Sequence, residues 1–151
     1  MNDFRHMRDG TPVQLVEHVR NTLSRCSDVE VLVGSDSHNR GRHTIYTTTV
    51  VLRFDRNGAQ VLYRKERRAR LDDRWTRLWG EVERSLAVAR TLSTEGNIPV
   101  SRIDMDLNSD PNAGSHKLHT AAVGYVRANG YEARTKPDLL IASWAANVLC
   151  V

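Results

Sequence analysis

The chain has 151 residues, 40% hydrophobic and 26% charged, with a net charge of +4, which suits one soluble domain able to bury its own core. Its longest apolar-leaning stretch, residues 139–151, contains Ser143 and Asn147 and is too short and too polar to span a bilayer. No leader with a charged start and an apolar centre opens the sequence, and Cys26 and Cys150 stand far apart without metal-site spacing, so a reduced, cytoplasmic protein is expected.

In chain order, Gly10-Thr11-Pro12 gives a start signal, and Leu15, Val16, Val19 and Leu23 follow at helical spacing, predicting a helix over residues 12–25. Val29 to Ser35 reads as a strand closed by Asp36 and a polar turn over Ser37 to Arg42. A second strand runs from His43 to Phe54, Asn57-Gly58 signals a hairpin, and Ala59 to Arg64 is a third strand. Leu71, Trp75, Leu78, Trp79, Val82, Leu86 and Ala89 form the apolar stripe of a long helix that Gly96 can cap in the left-handed conformation. Val100 to Leu107 is a fourth strand, Ser115 to Asn129 a helix stopped at Gly130, and Tyr131 to Thr135 a fifth strand. The last helix is expected to begin at Pro137, with Asp138 at its second position.

Three hairpin-linked strands followed by α-β-α-β-α imply an α/β fold: a mixed five-stranded sheet with helices on both faces and an extra N-terminal helix. This is the element order of the RNase H fold. Residues 1–28 are read as an N-terminal helical extension and residues 29–151 as the RNase H-like part of a single domain.

The carboxylates fall at informative places on this scaffold. In Arg102-Ile103-Asp104-Met105-Asp106-Leu107, alternation puts Asp104 and Asp106 on one strand face and the apolar residues on the other. Two carboxylates so close need solvent or a cation. If the first and fourth strands are neighbours, Asp36 and Asp106 meet, with a helical Glu and Asp138 beside them. Such a set of hard oxygen ligands suits two Mg²⁺ or Mn²⁺ ions. Each acid also has a plainer reading: Asp36 as a turn former, Asp138 as a partner of the helix dipole, and Glu81 or Glu83 as a solvated flank. Periodicity does not separate Glu81 from Glu83. The small residues Ser85 and Ala89, one and two turns on, favour Glu81.

Gly34-Ser35-Asp36-Ser37, the helix Glu81-Val82-Glu83-Arg84-Ser85-Leu86, Asp104-Met105-Asp106-Leu107-Asn108, and Thr135-Lys136-Pro137-Asp138 with Ala142-Ser143 and Ala146-Asn147 together resemble the YkuK-type RNase H-like family. The resemblance spans residues of about 30 to 149. It implies RNase H-type catalytic and metal-binding roles for Asp36, Glu81, Asp106 and Asp138. The family pattern has His where this chain has Asp104, and Gln where it has His38, so Asp104 is either an added metal ligand or a neighbour that tunes Asp106.

Residues 1–70 carry 13 basic and 8 acidic side chains, residues 71–151 carry 9 and 10, and a basic half beside an acid-bearing one suits a protein that grips a polyanion. Arg supplies 19 of the 22 basic residues, a bias that genome composition alone also produces. The segment Arg64-Lys65-Glu66-Arg67-Arg68-Ala69-Arg70 is expected to track a phosphate backbone or to form a solvated junction. Gly114-Ser115-His116-Lys117 leads into a helix, so its backbone N–H groups and cations, Lys117 among them, suit a phosphate, and His116 is a proton-shuttle candidate or a plain surface histidine. His116 and His119 lack the partners of a zinc site. Trp75 and Trp79 belong to the core or to an interface, which would allow a homodimer. The function expected is a metal-dependent nuclease acting on RNA, RNA–DNA hybrid or DNA. The alternatives are a non-catalytic nucleic-acid-binding or assembly module and a phosphohydrolase for small nucleotides.

Overall fold

Residues rich in Val, Ile and Thr favour pleated backbone, and residues 29–69 accordingly form three long strands. The computed structural model describes residues 3–149 apart from Arg56, Pro111, Ala113, Pro137 and Leu139. Its elements are β1 (Phe4–His6), β2 (Pro12–Val13), α1 (Leu15–Arg25), β3 (Val29–Arg40), β4 (His43–Phe54), β5 (Ala59–Ala69), α2 (Arg74–Gly96), β6 (Arg102–Asn108), α3 (His116–Ala128), β7 (Ala133–Lys136) and α4 (Ile141–Leu149). β3, β4 and β5 form the antiparallel meander, turning at Gly41 (φ 54°) and at Gly58 (φ 87°). β6 then pairs in parallel with β3, and β7 with β6.

The mixed sheet has seven strands in the order β2-β1-β5-β4-β3-β6-β7, where the sequence predicts five. The two extra strands lie at the N-terminal side of the chain, β1 extending the sheet beyond β5 and burying Phe4 completely. With three and two residues they are too short to show alternation, and Pro12 and Val13, expected in the first helical turn, belong to β2.

Helices cover both faces. Leu15 and Val19 of α1, Val82, Leu86, Ala89 and Leu92 of α2, and Leu118, Ala122 and Val126 of α3 pack with Val31, Val33 and Ile103 into the larger core. On the other face, Ala142 and Ala145 of α4 pack on Leu32 and Val51. A Cβ at Gly34 would lie 2.8 Å from Ser143 N and 2.9 Å from Ala142 Cβ, so glycine is what lets α4 lie directly on β3.

Three local expectations shift. The left-handed residue closing α2 is Asn97 (φ 51°), leaving Gly96 as the last helical residue, packed against Ile98 and Val16. β3 continues through the expected polar turn to Arg40, because residues 36–40 pair with β4, so Asp36 sits within a strand rather than at its end. α4 starts at Ile141. Asp138 therefore lies in the bend before it, and the expected start at Pro137 falls outside the described residues.

Candidate active site

β3 and β6 pair with Gly34 opposite Asp104, so two residues further on Asp36 and Asp106 reach the same level on the α4 face of the sheet. The pairing between these strands ends at Gly34–Asp104, and the β6–β7 register shifts between Asp104 and Asn108. Beyond that point the edge of β3 is open, and side chains from both faces reach one polar cavity of about 440 Å³. Asp36, Asp106 and Glu81 all line it.

Glu81 arrives from α2, on the opposite face. It is only 7% exposed, and its Oε1 accepts a hydrogen bond from Ser37 Oγ at 2.5 Å. The close approach of α2 rests on small residues: Ser35 Oγ and Ser85 Oγ meet at 2.9 Å, and a Cβ on Gly80 would lie 2.6 Å from Tyr46 Oη. Burial, with Asp36 and Asp106 near, pushes the Glu81 carboxyl up to about 8, although Ser37 and Arg77 pull it down. Burial likewise raises the Asp36 carboxyl, with Asp106 adding to the rise, against the Ser37 N–H and His38. Glu83, the alternative helical acid, is exposed and accepts a hydrogen bond from Trp79 Nε1 at 3.2 Å, away from the cavity.

His38 Nε2 lies 3.1 Å from Asp36 Oδ2 and 3.2 Å from Asn147 Oδ1, which ties β3 to the end of α4 and fits an Nε2–H tautomer shared between the two acceptors. Lys136 Nζ stands 2.6 Å from Asp106 Oδ1, an ion pair without hydrogen-bond alignment. Asp138 is exposed, with its amide donating to Thr135 O at 3.1 Å. Among the described residues no group of three or more His, Cys, Asp or Glu side chains is arranged to hold a metal ion.

Asp104 does not open into the cavity. It is 1% exposed, its Oδ1 accepting from Arg102 Nε at 2.7 Å and its Oδ2 from the Ala142 amide at 2.9 Å. That carboxylate holds the first turn of α4 and neutralises a buried arginine.

The basic segment belongs to β5 itself, so its side chains divide between the faces. Arg64, Glu66 and Arg68 point toward α2: Arg64 lies over the Phe4 ring and 3.7 Å from Asp3, while Glu66 takes Arg84 at 2.6 Å and Arg68 at 3.0 Å. Lys65 and Arg67 share the face of Asp36, in cross-strand rows Asp36–Thr47–Lys65 and His38–Ile45–Arg67. Arg67 also donates to His43 Nδ1 at 2.8 Å. Arg70 is held by Asp72 at 2.6 Å and Gly41 O at 2.8 Å. On α3, Lys117 is exposed, and His116 Nδ1 donates to Ser109 O at 3.1 Å outside the cavity lining. Trp79 stacks at 5.2 Å on Tyr125, and with the 43%-exposed Trp75 it lines a separate apolar groove of about 720 Å³.

The sequence reading gave no site role to Arg74, Arg77, Lys136 or Asn147, all of which line the cavity. The signal for the first two was present, since Arg74, Arg77 and Glu81 share one helical face. No described helix is long and apolar enough to cross a membrane. No curated protein and no solved structure matches the chain. Residues 14–150 match the family described as Ribonuclease H-like, in agreement with the resemblance read from the Gly-Ser-Asp-Ser and Lys-Pro-Asp segments, and the chain belongs to that family.

Proposed function

We propose that the chain is a divalent-metal-dependent nuclease that hydrolyses phosphodiester bonds in RNA, RNA–DNA hybrid or structured DNA. The observation that carries this reading is the meeting of Asp36 and Asp106 on one sheet face beside the buried Glu81. The donor set fits Mg²⁺ or Mn²⁺: the oxygens are hard, and burial, with the neighbouring acids adding to it, raises the Asp36 and Glu81 carboxyls, a cost that a bound dication would offset. Asp36 and Asp106 would hold the ions, with Glu81 and Asp138 completing the sites, while Asp104 is assigned to fixing α4. Bound there, two such ions would supply Lewis-acid activation of a water and charge stabilisation for the leaving oxygen.

The remaining work falls to the protein's own groups. Ser37 orients Glu81, and His38 with Asn147 fixes the Asp36 carboxylate against rotation. Lys136 offsets the Asp106 charge and stands where a phosphate oxygen entering the cavity would meet it. The same ion pair favours a second reading, a nucleic-acid-binding module without cleavage, because Lys136 already neutralises one of the acids.

The deciding experiment is cleavage of labelled RNA, DNA and hybrid substrates with Mg²⁺ or Mn²⁺, comparing wild type with Asp36→Asn and Asp106→Asn. Metal-dependent cutting lost in both variants supports the nuclease. Absence of cutting, with no rise in melting temperature on adding metal, leaves the binding module.

A further inference from the structure

Arg74, Arg77 and Glu81 follow one another at i, i+3 and i+7 along α2, and all three line the cavity. The two arginines differ from the six that the fold pairs with acids. Arg53, Arg64, Arg68, Arg70, Arg84 and Arg102 each face a carboxylate at 3.7 Å or closer. Arg74 and Arg77 make no ion pair and no side-chain hydrogen bond among the described residues, and Arg77 Nε, like Arg64 Nε and Arg102 Nη2, is buried without a hydrogen-bond partner, but of these three only Arg77 also lacks a paired carboxylate. A buried guanidinium N–H left without an acceptor loses more than an ordinary hydrogen bond contributes, so this position suits a site completed by an incoming anion. Gly114, just before α3, borders the same wall: a Cβ on it would lie 3.4 Å from Arg74 Nη1.

The geometry points to a phosphate-binding wall formed by Arg74 and Arg77, which seats a phosphate of the ligand next to the group that Asp36 and Asp106 approach. The planar guanidinium fork matches phosphate oxygens, and the pair supplies two positive charges on the wall from which Glu81 projects. This assignment deepens the proposed function and rests on it for naming the cavity as the reaction site. Its test reads binding alone.

Affinity for a 5′-phosphorylated single-stranded oligonucleotide and for a nucleoside monophosphate is measured in EDTA across a salt series, for wild type, Arg74→Gln, Arg77→Gln, Arg77→Lys and the double Gln variant. For the double variant the expected result is oligonucleotide binding weaker by about 10- to 100-fold and a log–log salt slope smaller by about 1.4, roughly 0.7 for each arginine–phosphate contact removed from a single strand. Arg77→Lys, which keeps the charge without the fork, falls between. Loss confined to the oligonucleotide identifies a backbone phosphate, and loss shared by the monophosphate identifies a phosphate monoester. Unchanged affinity and slope for both probes in a folded double variant would overturn the wall. If the double variant does not fold, the exposed Arg74→Gln carries the same test with a slope change of about 0.7. A wild type that cuts nothing yet binds through these arginines would remove the nuclease and leave the phosphate wall.

Discussion

Ser37 Oγ donates a hydrogen bond to Glu81 Oε1 at 2.5 Å, so the acid contributed by α2 is held by the same strand that carries Asp36. Adjacent residues on a strand face opposite ways, which sends Ser37 toward α2 and Asp36 toward α4. The three acids share a cavity because β6 stops pairing with β3 at Gly34, and the open edge joins the two faces. Glu81 is thereby kept in a place where a negative charge is poorly tolerated.

That placement gives a pH dependence of stability. The folded Glu81 carboxyl titrates at about 8, above its ordinary value of 4.5, so between those values the folded state binds more protons than the unfolded chain. Stability therefore falls as pH rises through this window, by an amount on the order of 4 kcal/mol at its upper end. Glu81→Gln removes the titration and keeps an acceptor for Ser37. In chelator its melting temperature should match wild type near pH 5 and exceed it increasingly toward pH 8.5. A difference that stays constant with pH would show that Glu81 is ionised and comfortable in the fold.

Asp104 calls for the opposite comparison. Its partners, Arg102 and the Ala142 amide, are structural, so Asp104→Ala strands a buried arginine and frees the first turn of α4. The expected loss is about 3–5 kcal/mol, measured by denaturant unfolding. It should be the same in EDTA and in Mn²⁺. A loss that appears only with metal would make Asp104 a ligand.

The contrast between Asp104 and Asp106 marks where sequence stops being informative. Alternation places both on one face, and both are there. What alternation does not give is where the neighbouring strand ends or which helix lies above, and those decide that Asp104 is sealed under α4 while Asp106 meets the cavity. Asp36 was expected beside Asp106 from its place at the end of the first strand, yet β3 runs on to Arg40 because β4 offers partners to the end, a long-range effect that local polarity opposes. β1 and β2 were illegible for the same reason: strands this short exist only because the β5 edge supports them.

Gly34 links packing to the site. A Cβ there meets backbone atoms of Ser143 and Ala142 that no rotamer change can move aside. Gly34→Ala should lift the start of α4 from the sheet, destabilising by about 1–3 kcal/mol. Through Asn147, which α4 carries to His38, it should also lower cleavage more than stability alone explains. Cleavage measured well below the melting temperature separates the two effects. An activity equal to wild type there would show that α4 can shift without disturbing Asp36.

The last prediction concerns the basic strand, where register makes a distinction that composition does not. Lys65 lies in the row of Asp36 and Arg67 in the row of His38, each two strands away, or about 10 Å across the same sheet face. Arg64 and Arg68 face α2, where Phe4, Asp3 and Glu66 engage them. A nucleic acid reaching Asp36 across the exposed part of that face passes Lys65 and Arg67 and not their neighbours. Lys65→Ala with Arg67→Ala should weaken oligonucleotide binding by about tenfold and reduce the salt slope by one to two, roughly one for each phosphate left without its cation. Arg68→Ala should leave binding unchanged, and Arg64→Ala should lower stability instead. Equal weakening by Arg68→Ala and by the Lys65 and Arg67 pair would mean that charge alone, without orientation, attracts the ligand.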